Sequence, residues 1–341
     1  MQNKYFDLIS SIQPDKRTQL NSVLIIDGLN AFLRAFTMIN HINPDGHHIG
    51  ALTGFLKSVG YAIKMLNPTK VVIVFDGVGG SNARRNLFPD YKANRNANRM
   101  TNYSIFQSKE EEAESINNQM QRLIQYLQCL PVTVISIEGL EADDIIGYLT
   151  HKFEKFEETK EINIMSADQD FLQLVTSKTS VYSPTKKKIY KPKDVFEQFG
   201  VSATNYINYK ILLGDKSDNV PGVTGLGPVK LVKLFPELLN ETLVPLEDII
   251  DKAATKIDEN KLYLSVVERR HQLYINKQLM NLEGDFLSPD NRLLVKQAFT
   301  DSYELNKYLF HQIYVNDKLG ESIPNVDNWL TEVFGYLNSL N

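Results

Sequence analysis

Four acidic clusters, each placed directly after an apolar run, constrain this chain more than any other feature. The densest is Glu138-Gly-Leu-Glu-Ala-Asp-Asp144, which follows Val132-Thr-Val-Ile-Ser-Ile137 and precedes the helically spaced Ile145-Ile-Gly-Tyr-Leu-Thr150. The others are Asp27 after Ser22-Val-Leu-Ile-Ile26, Asp76 after Lys70-Val-Val-Ile-Val-Phe75, and Asp168 with Asp170 after Glu161-Ile-Asn-Ile-Met165. A single acid in a first helical turn is stabilised by the helix dipole by roughly 0.3–1 kcal/mol and needs no other explanation. Glu141, Asp143 and Asp144 together repel one another by more than the dipole offsets, and a divalent cation would relieve them.

The runs at 22–27, 70–75 and 161–165 are solidly apolar rather than alternating. That pattern marks central strands of a parallel sheet covered on both faces. Helical patterns over 50–66, ended by Pro68, and from Lys109 to Leu130 alternate with them. The expectation is an α/β fold with a mostly parallel, doubly wound sheet. Such sheets bind ligands outside the carboxyl ends of their strands, and all four acidic clusters lie at that edge. Asn30 is expected to cap the helix after Asp27. Asp168 and Asp170, two apart, would point the same way in extended backbone.

The 341 residues suffice for one large domain or two smaller ones, and the 43% hydrophobic and 23% charged content is that of a globular protein. No apolar run reaches the ~20 residues that span a bilayer, and the first residues lack a signal-peptide layout. The lone cysteine, Cys129, sits among leucines and reads as a core residue. A cytoplasmic protein is expected, working as a monomer away from membranes.

The net charge of −4 conceals local asymmetry. Residues 81–100 carry Arg84, Arg85, Lys92, Arg95 and Arg99 against Asp90 alone, and residues 178–193 carry six lysines and no acid. Both are candidate phosphate contacts, and the second reads equally as a solvated β ribbon, 181–183 with 188–190, guarded by lysines. Helices are expected at about 194–199 and 203–213. Then comes Gly214-Asp-Lys-Ser-Asp-Asn-Val-Pro-Gly222, with Gly225, Gly227 and Pro228 beyond it. Asp215 and Asp218 are three apart and would share a helix face. The glycines permit close approach of another molecule, and a helix starting at Pro228, with Lys230 and Lys233 behind it, would offer amides to a phosphate. Helical patterns over 246–256, 259–280 and 325–340 carry no chemistry. His47 and His48 lack metal-ligand spacing and read as loop residues, and Trp329 as core. The chain is expected to divide into an extension (1–21), an α/β domain (22–185) with a basic arch at about 80–115, a helical subdomain (186–285) holding the Gly-rich element 213–235, and a C-terminal helical region (286–341).

Carboxylates alone select hard ions, Mg²⁺ or Mn²⁺, over zinc. Two or more such ions beside basic segments suit hydrolysis of a phosphodiester, with Lys92, Arg84 or Arg85 steadying charge on the phosphate.

The series Ile26-Asp-Gly-Leu-Asn30, Val74-Phe-Asp-Gly77, Phe88-Pro-Asp-Tyr-Lys92, Glu138 to Asp144, Ser166-Ala-Asp-Gln-Asp170 and Leu213 to Gly222 resembles, in order and spacing over 22–235, the motifs of the 5′-nuclease (flap endonuclease) superfamily. Within it the chain looks most similar to the ribonuclease H branch of T-even bacteriophages. The resemblance implies a 5′→3′ exonuclease and flap endonuclease that acts on RNA–DNA and DNA–DNA duplexes and removes primers and flaps in replication. It assigns Asp76, Glu141, Asp143, Asp168 and Asp170 to a first metal site and Asp27, Asp215 and Asp218 to a second, with Asp144 contributing. Asp143, Asp168, Lys92, Arg84 and Arg85 would be catalytic. Arg84, Arg85, Tyr91, Lys92, Arg95, Arg99, Lys216, Gly222, Gly225, Gly227, Lys230 and Lys233 would contact nucleic acid. K⁺ would bind at 214–235, a sliding clamp at residues 2–9, and a single-strand-binding protein at the C-terminal region. Two other readings compete. A PIN-type ribonuclease shares the acidic edge but lacks a 213–235 element, and a silent flap-binding protein would have lost some of the acids.

Overall fold

The apolar runs pair side by side. In the computed structural model, which describes residues 20–94, 101–283, 287–300 and 303–340, the first part of the chain runs β1 (Ser22–Asp27), α1 (Gly28–Met38), α2 (Gly50–Leu66), β2 (Lys70–Phe75), α3 (Asn82–Leu87), α4 (Lys109–Leu127), β3 (Thr133–Ser136), α5 (Ala142–Glu154), β4 (Glu161–Met165), β5 (Thr179–Ser183) and β6 (Lys188–Tyr190). They form one six-stranded sheet in the order β3-β2-β1-β4-β5-β6, parallel except for β6. The strand order reverses between β1 and β4, the switch point at which such sheets open a crevice.

Alternate residues of each central strand feed two cores. Val23, Ile25, Val72, Val74, Ile162 and Ile164 pack with Ile145, Leu149 and Phe153 of α5 on one face. Leu24, Ile26, Val71, Ile73 and Met165 pack on the other with Phe32 and Phe36 of α1, Phe55 of α2 and Tyr126 of α4. Cover on both faces is why these strands read as unbroken apolar runs. Cys129 is buried in the second core, and Trp329 packs against it, half-buried.

The rest is helical: α6 (Pro192–Phe199), α7 (Tyr206–Leu213), a two-residue hairpin β7 (Gly214–Asp215) and β8 (Val220–Pro221), then α8 (Pro228–Leu234), α9 (Leu246–Thr255), α10 (Lys261–Glu268), α11 (Arg270–Met280), α12 (Pro289–Thr300), α13 (Lys307–Asn316) and α14 (Val326–Leu340). Three expectations are corrected here. Asp215 and Asp218 share a hairpin rather than a helix face, because Gly214 at φ +74° ends α7 and Asp215 Oδ1 accepts from the Ser217 and Asp218 amides at 2.7 and 3.3 Å. The cap of α1 is Asp27, whose carboxylate accepts from the Asn30 amide at 3.1 Å. Asp168 and Asp170 are not in extended backbone, since a 3₁₀ turn begins at Asp170 and its amide donates to Asp168 Oδ1 at 2.9 Å.

Helix α3 was not anticipated, α12 and α13 were expected only as part of a helical region at 286–341 without bounds of their own, and 259–280 breaks at Arg269 into two. Exposed Leu293 and Leu294 in α12, and Tyr308, Leu309 and Val315 in α13, blur the apolar stripe that would have announced those helices. Among the described residues no helix is long and apolar enough to cross a membrane.

Gly77 closes the carboxyl edge. Its amide donates to the Leu140 carbonyl at 2.9 Å, and a Cβ there would lie 1.7 Å from the Ile137 carbonyl oxygen. Gly77→Ala should therefore lower unfolding stability by about 2 kcal/mol or more, read from urea denaturation.

Candidate active site

The carboxyl ends of β1 and β4 and the first turn of α5 bring Asp27, Asp143 and Asp168 to one place. Asp27 is held by its own helix cap and by Ser166, whose hydroxyl donates to Oδ2 at 2.9 Å. Asp143 stands in the first turn of α5. Asp168 follows β4 in a turn in which its amide donates to Ser166 Oγ at 3.0 Å. Burial pushes Asp27 up to about 6 and raises Asp143 and Asp168, and negative neighbours push the same way, Asp76 on Asp27, Asp168 on Asp143 and Asp27 on Asp168, while Lys92 opposes the rise at Asp27 and Asp143 and Lys210 opposes it at Asp168. Among the described residues, none of the three makes an ion pair with a basic side chain.

The remaining acids are already neutralised from within. Arg84, 2% exposed, grips Asp144 with both terminal nitrogens at 2.7 Å, reaches Glu141 at 3.0 Å, and donates through Nε to the Leu279 carbonyl at 2.8 Å. Lys92 Nζ lies 2.8 Å from Glu141 Oε1, and the Tyr91 hydroxyl donates to Oε2 at 3.1 Å. These cations hold Glu141 below its usual range despite its burial. Lys210, in the last turn of α7, bridges Asp170 Oδ1 at 2.6 Å and Asp215. Asp170 still rises to about 7 through burial and Asp168, whereas Asp215 falls to about 2 against its own burial, because Lys210 and Ser217 stabilise its charge. Asp76 is exposed and caps α5, accepting from the Ala142 amide at 2.9 Å. The Asp218 carbonyl accepts from the Lys92 amide at 2.9 Å, and Lys92 itself sits at φ +57°, a left-handed conformation that side-chain-bearing residues seldom adopt.

Several expected roles change with this geometry. Arg84 is no open phosphate contact, because its guanidinium is buried and spent on Asp144, Glu141 and a carbonyl. For the same reason both oxygens of Asp144 are occupied, and Asp144 serves Arg84 rather than a metal. Tyr91 is buried and bonded to Glu141, so it presents no surface to nucleic acid. His48 is buried in the core, with Nε2 2.8 Å from the Ile39 carbonyl oxygen, rather than in an open loop. Arg85, Lys216, Lys230 and Lys233 are exposed, Gly222 and Gly227 are partly covered, and Gly225 is exposed at φ +79°. Lys230 donates to the Gly225 carbonyl at 3.0 Å, so one carbonyl of the segment expected to hold K⁺ already carries a cation. Arg95, Arg99 and residues 2–9 lie outside the described residues.

The acids fit a hard divalent ion by chemistry, since every donor is a carboxylate oxygen and Asp27, Asp143 and Asp168 make no ion pair among the described residues. Among the described residues, however, no three acidic, histidine or cysteine side chains are gathered closely enough to hold one ion. Glu141, Asp170 and Asp215 are drawn toward the protein's own cations instead.

Known proteins share this fold. Residues 22–200 match the family model described as 5′-3′ exonuclease, N-terminal resolvase-like domain, and residues 201–297 the 5′-3′ exonuclease, C-terminal SAM fold. The chain belongs to the 5′-3′ exonuclease family. A 5′-3′ exonuclease of Buchnera aphidicola is 32% identical over 228 residues, covering 65% of this chain and 74% of that protein. The fold is shared with bacteriophage T5 5′-exonuclease solved with zinc ions (TM-score 0.64, 21% identity, 82% of this chain and 98% of that one). It is also shared with a variant of bacteriophage T5 flap endonuclease solved with DNA and metal ions (TM-score 0.62, 21% identity, 87% and 100%). The second family domain contains the 213–235 element that a PIN-type ribonuclease would lack.

Sequence reasoning missed two residues of this exonuclease site. Lys210 was readable as the lone charge in Tyr206-Ile-Asn-Tyr-Lys-Ile-Leu-Leu213, where a buried ammonium needs a partner. Asn276, fully buried in α11, donates to the carbonyls of Ile211 and Pro221 at 2.9 and 2.8 Å and carried no signal.

Two measurements check this electrostatic division. Removing one partner of a buried pair costs about 3–5 kcal/mol, so Asp144→Asn should be strongly destabilising, while Asp143→Asn relieves repulsion and should leave stability in chelator unchanged or raised. Urea midpoints decide it. Carboxyls whose folded pKa is raised contribute stability that is complete below their ordinary value of 3.8 and lost as pH rises through about 6 for Asp27 and about 7 for Asp170. Asp215, depressed to about 2, works oppositely and its contribution fades only in stronger acid. Melting temperature in chelator should thus fall between about pH 5 and pH 8, and added divalent ions should remove that fall.

Proposed function

We propose that this member of the exonuclease family is a divalent-metal-dependent 5′→3′ exonuclease and flap endonuclease. Its substrates are RNA–DNA and DNA–DNA duplexes with 5′ ends or flaps, and Mg²⁺ or Mn²⁺ is its cofactor. The observation that carries the reading is the trio Asp27, Asp143 and Asp168: the first buried and the other two partly buried, none in an ion pair among the described residues, at the carboxyl edge of a parallel sheet. Asp76, Asp170, Asp215 and Asp218 stand around it as further ligands, with Glu141 available once Lys92 turns to substrate. Bound ions would supply a nucleophilic water and neutralise the scissile phosphate. Lys92, 12% exposed and fixed between Glu141 and the Asp218 carbonyl, orients its ammonium at the mouth of the site. Exposed Arg85, Lys216, Lys230 and Lys233 supply sequence-independent contacts to the phosphate backbone.

Removal of RNA primers, a ribonuclease H activity, belongs to the same proposal. So do a clamp-binding peptide at residues 2–9 and a single-strand-binding-protein contact in the region 286–341, where Tyr308 and Val315 are exposed. The division into 1–21, 22–185, 186–285 and 286–341 is retained on the same terms.

Matched nicked, flapped and RNA-primed duplexes carrying a 5′ label should release short labelled products in Mg²⁺ and none in chelator. Asp143→Asn or Asp168→Asn should lower cleavage by at least ~10³-fold while gel-shift binding persists. Undiminished cleavage in chelator, or by Asp143→Asn, would contradict the assignment.

A further inference from the structure

Among the described residues, Lys210 is the basic side chain whose ion pairs join acids from the two halves of the site. Asp170 opens the turn after β4, in the sheet-bearing part, and Asp215 lies in the β7–β8 hairpin, in the second family domain. The Lys210 ammonium group is 2.6 Å from Asp170 Oδ1 and also contacts Asp215 Oδ2. Side-chain exposures of 12%, 15% and 13% leave little water to screen the three charges. The helix that carries the lysine is anchored as well, since α7 buries Tyr206, Ile211 and Leu212. The second Asp215 oxygen is anchored by the Ser217 amide and hydroxyl at 2.7 and 2.6 Å, so the carboxylate is presented to Lys210 in one orientation.

We propose that Lys210 is a positioning residue that sets how tightly the site takes a divalent cation. Its charge occupies the gap between Asp170 and Asp215, holding the two acids in place before an ion arrives and competing with the ion for them. The inference rests on the metal dependence proposed above. It accounts for why the acids are numerous yet not gathered around one point: part of the charge that an ion would supply is already covalently attached. Competition of this kind lowers affinity without deforming the site, because site charge and rigidity set the binding constant of a hard cation. The sign is unusual for an active-site lysine, since deleting its charge should make the empty protein weaker and the ion tighter.

The test uses the full chain without nucleic acid. Mn²⁺ is titrated calorimetrically into the wild type, Lys210→Met and Lys210→Arg, and melting is followed in chelator and in Mn²⁺. Lys210→Met should melt lower in chelator, bind Mn²⁺ roughly tenfold more tightly, and gain more in melting temperature on adding it. Lys210→Arg, which keeps the charge, should stay near the wild type. Should Lys210→Met fail to fold, Lys210→Gln, an amide without the charge, carries the same expectation. Equal or weaker Mn²⁺ binding by the uncharged variant overturns the role of Lys210 and leaves the metal dependence standing. Absence of Mn²⁺ uptake by the wild type overturns both.

Discussion

Crowding of like charge at one edge of a parallel sheet is the constraint on which the rest of this structure depends. Strands β1, β2 and β4 run parallel and end at the same edge of the sheet, where Asp27, Asp76 and Asp168 stand at or just beyond their carboxyl ends. Three basic groups answer that crowding, and none comes from a strand. Arg84 reaches in from α3, Lys92 from the turn after it, and Lys210 from α7. Buried ion pairs of this kind gain little over apolar packing, yet losing either partner is costly. Their consequence is positional. Arg84 ties the segment after β2 to the first turn of α5, and Lys210 ties the turn after β4 to the hairpin. Elements far apart in sequence are thereby fixed to one charge pattern.

Helix α11 completes the fixing from behind. Its Leu279 carbonyl takes Arg84 Nε and its Met280 carbonyl takes the Gln173 amide, three residues along the turn from Asp170. Its Asn276 holds the last turn of α7 and the β8 strand by their carbonyls. One helix therefore backs the acid-bearing turns and the Gly-rich element at once. The spacing between the Gly-rich element and the carboxylates is thus set in part by α11. Rigid backing of this sort is what in-line displacement requires, because small misplacements of a reacting phosphate are expensive in rate.

Much of this was legible in the chain itself. The runs before Asp27, Asp76 and Asp168 announced buried parallel strands, because only cover on both faces permits unbroken apolar sequence. The acids then had to lie at the carboxyl edge. What escaped was the pairing. Nothing local distinguishes Asp143, which stays uncompensated, from its neighbour Asp144, whose side chain turns to the opposite side of the helix start and meets Arg84 from 60 residues away. Arg84 and Arg85 are likewise identical in sequence terms, and the one facing the core is buried while the other is exposed. The hairpin at Asp215 was misread because three-residue spacing also suits a helix, whereas Gly214 at a positive φ permits only a turn. Long-range partners and backbone handedness are tertiary facts, and single-sequence periodicity does not carry them.

The division of the acids has a functional logic. Where a carboxylate is paired with arginine in a bidentate fork, the charge is permanent and the geometry is structural, as at Asp144. Where it is paired with lysine alone, as at Asp170 and Asp215, the partner is a point charge that can be exchanged, and Glu141 has both an arginine and a lysine beside it. Where it makes no ion pair, as at Asp27, Asp143 and Asp168, nearby lysines offset the charge only in part, and the site keeps unfavourable charge that folding alone does not relieve. Permanent, exchangeable and missing ion-pair partners thus stand side by side at one sheet edge. On the proposed function, a cation entering from solution would be drawn to the acids that lack an ion pair, and its charge would offset their repulsion of a phosphate.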